Sequence, residues 1–468
     1  MAALRSDPVP GPAPIPASAL PRPPMPERLR TQIESLLVLR RNPLELWGPL
    51  AYEMPILPGR FLGREQLLLN APEAIRHVLV TNHANYVRTP ATHRVLQPVL
   101  GEGLFLAEGE AWRHQRRTIA PALAPRSIPM LARHVAASSA EAEMELDARR
   151  GRPIELMPHM QSLALNIAGR SMFSLEMDRF GTGLRGMLNR YAVRFAKPGA
   201  LDLVLPQSVR SPLDIGRAAF RREWLGLMDR ILDARETQPA DPDRPRDLFD
   251  LLAAARDPET GEGFDRAQLR DEVATLMLAG HETTAVTLFW SLFLAALRPE
   301  HGEAIAAEAA ALDLSPNNAA AAIKSLVRTR AHVEEALRLY PPAFLIVRQA
   351  IGADEVMGHP IAPGTVVTVS PWVLHRHRSL WPNPDGFDPN RFLPGATAPE
   401  RFAYLPFGAG PRICVGAQFA LTEAVLVLAR LMQRFRVELF SGAGVLPRGL
   451  VTTQPDRPVR FLLSRRAR

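Results

Sequence analysis

Residues 407–416 read FGAGPRICVG, and they contain Cys414, the single cysteine of a 468-residue chain. One thiol cannot close an internal disulfide, so the chain owes nothing to an oxidising compartment and a reducing cytoplasm is its expected location. Gly408 and Gly410 permit a tight loop, Pro411 stiffens it, and the AQFALTEAVLVLARLMQRF that follows is a strong helical stretch. A helix N-terminus beside the sulfur favours thiolate over thiol. A lone cysteine is most often a small buried hydrophobe, but this one sits in a loop built for something more specific.

No second cysteine, C-x-x-C or H-x-x-x-H accompanies it, which argues against zinc. Haem iron needs only one thiolate from the protein, because the macrocycle supplies the equatorial ligands.

Upstream, the clearest helix starts at Asp265, an N-cap with Gln268 three residues on, and stops at Pro299. At that length it spans about 50 Å, and being apolar nearly all round it should run through the molecular centre. In its middle lies AGHETT, Ala279 to Thr284. Gly280, Thr283, Thr284 and Thr287 follow i, i+3, i+4, i+7 and share a small, hydroxylated face. Such threonines can simply satisfy carbonyls one turn back. A glutamate beside them, Glu282, is harder to place without a partner or a purpose.

Elsewhere helical periodicity dominates. Glu27 to Arg41, a stretch ending near Val80, AWRHQRRTIAPAL and most of 127–195 are expected to be helical. Tyr86 to Glu110 is expected to be loop with an apolar middle, and Lys197 to Pro212 a flexible connection. Strands are expected only around 61–69, at GTVVTVS and near RFLLS. The class is mainly α with a minor β portion.

Residues 1–30 are too rich in proline for a signal peptide or membrane anchor, and are expected to form a mobile arm before a single domain over 31–468. The apolar run Leu276 to Leu297 is interrupted by His281, Glu282 and threonines, unlike a lipid-facing span. The net charge of +8 is almost wholly arginine, since Lys197 and Lys324 are the only lysines. No basic block with interleaved aromatics points to nucleic acid.

The pattern F-x-x-G-x-R-x-C-x-G, met by Phe407, Gly410, Arg412, Cys414 and Gly416, resembles the haem-binding loop of the cytochrome P-450 superfamily. The resemblance covers residues ~30 to ~460, with its motifs in order. It implies the family's fold, with haem b between the long central helix and the helix after the cysteine. It implies Cys414 as axial ligand, Phe407 packed beside it and Arg412 on a haem propionate. AGHETT resembles the oxygen-activating segment, which gives Thr283 a hydrogen bond to dioxygen, Glu282 a part in proton delivery and Gly280 the role of leaving room. Trp112 and Arg116 match W-x-x-x-R, and Arg348 a further propionate ligand. Glu335 and Arg338 of EEALRLYPP, with Arg391 of FDPNRF, match a buried structural triad; Asn390 replaces the family's usual glutamate.

The expected activity is a monooxygenase that puts one oxygen atom of O2 into a small hydrophobic substrate. Fatty acids, terpenoids and aromatics all remain open, with AGHETT slightly nearer the fatty-acid hydroxylases. Candidate lining comprises Leu104 to Leu106, Ala343 to Val347 and parts of 170–225. With no flavin or iron–sulfur signature after Cys414, electrons are expected from NAD(P)H through a reductase and a ferredoxin or flavodoxin, docking near Arg113 and Arg117. A haem-thiolate sensor or carrier, a peroxygenase and a dehydrating enzyme are the rivals. Intact Thr283 and Glu282 argue against them, since none must deliver protons to reduced dioxygen.

Overall fold

The helix Arg266–Leu297 is the axis of the structure, and 32 residues make it the longest element. Its start is the expected capping box: the Gln268 N–H donates to Asp265 Oδ1 at 2.8 Å, and the Asp265 N–H to Gln268 Oε1 at 2.9 Å. Arg298 turns extended and Pro299 opens the next helix, so the stop falls where proline forbids continuation. Its apolar circumference is covered by the helix Leu156–Phe173, by Ala417–Arg434 after the cysteine loop, and by Val327–Leu339. Trp290 of the central helix stacks on Tyr340 with centroids 4.1 Å apart and donates to the Thr453 carbonyl at 2.7 Å.

This computed structural model describes residues 15–28, 30–174, 180–237, 245–442 and 444–466. Among them, no helix is long and apolar enough to cross a membrane. The sheets are small and peripheral. The largest has five strands in the order Ile56–Phe61, Arg64–Leu69, Val366–Val369, Ile346–Ala350, Tyr86–Val87, all antiparallel except the pair Arg64–Leu69 and Val366–Val369. Phe435–Ser441, Arg460–Arg465 and Ile154–Glu155 form a second. The three expected strand regions are present. Ile346–Ala350, Phe435–Ser441 and two short ribbons, Asp354–Val356 with His359–Ile361 and Pro447–Gly449 with Thr453–Pro455, were not expected.

Two expectations about loops fail. Pro90–Leu100, inside the supposed loop 86–110, is helical: the Thr89 hydroxyl caps it by accepting from the Thr92 N–H, Pro90 sits at its first position, and Pro98 is tolerated within it. The connection 197–212 contains the helix Ala200–Val204 and is pinned by Asp202, whose buried carboxylate takes both Arg217 terminal nitrogens at 2.8 and 2.9 Å. Of the expected mobile arm, residues 1–14 lie outside the described residues, whereas Ile15 exchanges both backbone hydrogen bonds with Phe387 at 2.7 and 2.9 Å. Tyr340 Oη donates to Pro21 O at 3.0 Å, and Arg22 pairs with Asp385 at 2.9 Å.

Behind the cysteine loop, Glu335 and Arg338 are fully buried and paired through two bonds, at 2.7 and 2.8 Å. Arg338 spends its remaining donors on the carbonyls of His375, Pro384 and Gly386, each at 2.7 Å. Glu335 also accepts from the Asp388 N–H at 2.8 Å, with Arg391 Nε 3.5 Å away. One ion pair thus ties a helix to three loops. Removing one partner of such a pair strands a buried charge at a cost of ~3–5 kcal/mol. Glu335→Ala should therefore fail to accumulate as folded protein, measured as soluble yield and unfolding midpoint; a normal yield and midpoint would show that the network is dispensable.

Candidate functional site

The cysteine loop owes its shape to two glycines. Gly408 and Gly410 have φ of +74° and +72°, and a Cβ on Gly410 would lie 2.0 Å from the Leu79 carbonyl oxygen. No side chain fits there. The single turn Gly410–Arg412 then brings the Cys414 N–H onto the Phe407 carbonyl at 2.9 Å, three residues before the helix Ala417–Arg434 begins. The thiol faces open space, yet protein surrounds it on its other sides. Burial pushes it up, while the Gly416 N–H and the Arg116 guanidinium pull it down. The helix end alone does not make a thiolate here; a coordinated metal ion would.

Above this loop lies a charge imbalance. Glu108 accepts from Arg88 at 3.2 Å and also pairs with Arg412. Arg412 further donates to the Ala107 carbonyl at 2.9 Å, and its guanidinium lies 4.5 Å over the Trp112 ring. Among the described residues, Arg348 donates only to the adjacent Val347 carbonyl, at 2.9 Å, and Arg88 Nε has no partner. Burial, together with repulsion from the other guanidiniums, pushes Arg88 down to about 9 and Arg348 down to about 10, against the pull of Glu108. Arg88 is buried and Arg348 and Arg412 are partly so, and the three share one carboxylate, which leaves two positive charges uncompensated. Haem carries two propionates, so this donor set fits it in both charge and chemistry.

Trp112, Arg348 and Arg412 fall where sequence reasoning placed them relative to one another. Arg116 does not join the cluster. It donates to the Ile413 carbonyl at 2.8 Å and lies beside the thiol. Arg88 and Glu108 were missed, and nothing in their local sequence marks them.

The AGHETT turn is split between faces. Gly280 has nothing within 4 Å of a modest side chain, and it shares an open face with Thr283. The Thr283 hydroxyl donates to Ala279 O at 2.5 Å, which leaves its oxygen lone pairs for a ligand. Thr284, about 100° round the helix from Thr283, is buried and donates to Glu423 Oε2 at 3.4 Å, and Thr287 is also buried. The hydroxylated face is thus narrower than its spacing implied. Glu282 is turned off the open face, and burial pushes its carboxyl up against the hydrogen bonds of Gln454, Gln161 and Thr452.

Leu104 and Leu106 are 9 % and 1 % exposed and belong to the core; only Phe105, 44 % exposed, faces outward, with the Arg88 guanidinium 4.6 Å over its ring. The loop is held by the Leu104 N–H on the buried Glu272 carboxyl at 3.0 Å, a group that burial pushes up to about 8. Of 343–347, Ala343 is exposed and Phe344 buried. Arg113 and Arg117 are spent on local partners: Arg113 pairs with Glu110, and Arg117 with Asp257 and Glu259 at 2.8 and 3.0 Å.

The family model for cytochrome P450 matches residues 50–456. Cyclooctatin synthase of Streptomyces melanosporofaciens is 32% identical over 419 residues, covering 88% of this chain and 89% of that one. Cyclooctat-9-en-7-ol 5-monooxygenase of the same organism is 30% identical, covering 87% of each. Pentalenene oxygenase of Streptomyces avermitilis is 28% identical, covering 92% and 94%. Among solved structures, the heme domain of cytochrome P450DA superposes with a TM-score of 0.76 at 23% identity, covering 88% of this chain and 90% of that one, a likeness of fold.

Removing one cation should weaken the hold on a dianionic group without opening the fold. A charge-assisted pair is worth ~1.5–3 kcal/mol, so Arg348→Leu should lose haem to an acceptor apoprotein roughly tenfold or more faster, followed by absorbance. An unchanged loss rate would mean that Arg348 does not hold the group.

Proposed function

This chain belongs to the cytochrome P450 family and is a monooxygenase of that family, and from that premise we propose that Cys414 is the axial haem ligand and that the substrate is a hydrophobic organic molecule oxidised with electrons from a separate protein. The observation that carries the reading is the pairing of two features: a lone thiol presented by a glycine-shaped loop, and three clustered arginines, one buried and two partly buried, short of two negative charges.

When bound, thiolate-ligated haem supplies the activation of dioxygen, one atom entering the substrate and the other leaving as water. The chain's own residues have separable tasks. Arg88, Arg348 and Arg412 would hold the haem through its propionates and offset their charge. Arg116 and the Gly416 N–H hold negative charge at the sulfur. Gly280 leaves the central helix open, and Thr283 presents a hydroxyl oxygen there. Glu282, about 100° round the helix from Thr283, is placed to pass protons rather than to touch the reacting atoms.

Phe105, Ala343 and the partly exposed Leu345 and Val347 offer an apolar lining. The names of the relatives, built on cyclooctat-9-en-7-ol and pentalenene, support a cyclic alkene or its alcohol ahead of a fatty acid. The electron donor is proposed as a ferredoxin or flavodoxin fed from NAD(P)H.

Labelled dioxygen tests the proposal. With a reduced donor protein and an alkene-class substrate found by its effect on the haem spin state, one labelled atom should enter the product, and hydrogen peroxide in place of donor and oxygen should not sustain turnover. Peroxide-driven turnover at the same rate would make the protein a peroxygenase. Thr283→Ala should keep haem content and ligand affinity while the product formed per NAD(P)H oxidised falls several-fold and hydrogen peroxide rises. An unchanged ratio would reduce Thr283 to helix packing.

A further inference from the structure

The segment 101–108 bridges the central helix and the cation cluster. At one end its backbone is seated on the helix: the Glu102 N–H donates to Asp271 Oδ2 at 2.9 Å, and the Leu104 N–H is shared between Glu272 Oε1 and Oε2 at 3.0 and 3.1 Å. Thr275 Oγ1, one turn on from Asp271, lies 3.3 Å from the Leu100 carbonyl oxygen. Gly101, with φ of +60°, and Gly103 press so closely on Asp271 and Thr275 that neither has room for a Cβ. At the other end the Phe105 ring lies against the Arg88 guanidinium, the Ala107 carbonyl takes Arg412, and Glu108 takes both arginines.

Glu272 is the unusual member of this seat. It is fully buried, and among the described residues no cation pairs with it. The charged group that acts on it is Asp271, its neighbour on the helix, and that action is repulsion. Charges on the surrounding elements are engaged elsewhere. Arg221 of the helix Pro212–Glu236 and Arg270 each lie 3.8 Å from Asp271, and the Glu102 carboxylate takes Gln97 Nε2 at 2.5 Å. Arg94 of Pro90–Leu100 donates to the Pro206 and Val209 carbonyls, and Asp250 of Leu248–Ala254 takes Arg235 and Arg246. The helix Gly109–Ile119 contributes the uncharged Gln115, which donates to the Glu102 carbonyl at 2.9 Å. Burial pushes the Glu272 carboxyl up to about 8 against the pull of the Leu104 N–H, with repulsion from Asp271 adding, so at pH 7 it is mostly the neutral acid.

We propose that Glu272 is a positioning residue for the cleft: as the neutral acid it seats the segment 101–108 on the central helix and so sets Phe105 against Arg88, and on losing its proton it lets the segment lift. An ionised Glu272 beneath the seated segment is a buried anion without a cation. A lifted segment admits water, and the carboxyl then ionises in its ordinary range. The seated form therefore binds the proton more tightly, so its advantage is complete at low pH and is lost as pH rises from the ordinary carboxylate range toward about 8. That Phe105 lines the substrate cleft rests on the function proposed above; the seat itself does not.

Amide hydrogen exchange of residues 101–106 in the haem-loaded protein, corrected for the intrinsic rate at each pH, reads the seat directly. In the natural chain protection should fall about tenfold per pH unit between about pH 5 and 8, and level off above about 8. Glu272→Gln keeps an oxygen for the Leu104 N–H and has no proton to lose, so its protection should not depend on pH. The strand Arg460–Arg465 should show no such slope in either protein, and that contrast within the natural chain decides the matter should the glutamine variant fail to fold. Level protection in the natural chain, an equal slope in Glu272→Gln, or a slope shared with the strand overturns the seat. A small alkene that alters the haem spin state should bind more weakly as pH rises through the same window in the natural chain, and evenly in Glu272→Gln. Even binding in the natural chain overturns the link from the seat to Phe105 and the cleft, while the exchange data still decide whether Glu272 holds the segment.

Discussion

The surplus of positive charge at buried Arg88 and partly buried Arg348 and Arg412 is the constraint on which the site depends. Burying a cation is costly without a partner, and here three share Glu108. They converge because three separate elements bring them in: Arg88 follows the strand Tyr86–Val87, Arg348 lies within Ile346–Ala350, and Arg412 closes the cysteine turn. Two of these belong to the five-stranded sheet edge, where Tyr86–Val87 pairs with Ile346–Ala350. The sheet is therefore a device for placing cations as much as a structural layer, and a dianionic group would be part of its stability.

The cysteine loop is fixed by contacts that do not involve the thiol. Gly410 packs onto Leu79 in the tight turn His77–Thr81, and that turn is held by Asp354, which accepts from His77 at 2.8 Å, Tyr86 at 2.6 Å and Asn82 at 3.0 Å. Burial raises that carboxyl, but its donors outweigh it and hold it at about 2. A folded-state value below the ordinary carboxylate range means its stabilisation is present at neutral pH and is lost only as pH falls toward that value. From the other side, Glu335 and Arg338 lock the loops that precede the cysteine turn. The sulfur is thus positioned by a frame of contacts that do not pass through it.

Much of this was legible in the sequence because its signals are local. The capping box at Asp265, the loop FGAGPRICVG and the run AGHETT each carry their information within about ten residues, and the structure places each on the expected kind of element. What was not legible depends on distant pairing. Arg88 looks like any surface arginine until Glu108 and Arg348 are seen beside it. The pairing of Arg117 with Asp257, some 140 residues on, is likewise invisible in its local sequence. Thr284 shares its spacing with Thr283, but the helix Ala417–Arg434 covers one of them and not the other. Leu104 and Leu106 alternate inward around Phe105, which only the anchoring of their loop on Glu272 decides.

The central claim is that Cys414 carries the iron of a haem whose propionates answer the three arginines. The most direct measurement is the carbon monoxide difference spectrum of the reduced, haem-loaded protein. The natural chain should give the red-shifted band of thiolate-ligated ferrous haem, and Cys414→Ser should bind haem without that band. A natural chain that binds haem and gives only the unshifted band of a neutral nitrogen ligand would contradict the account.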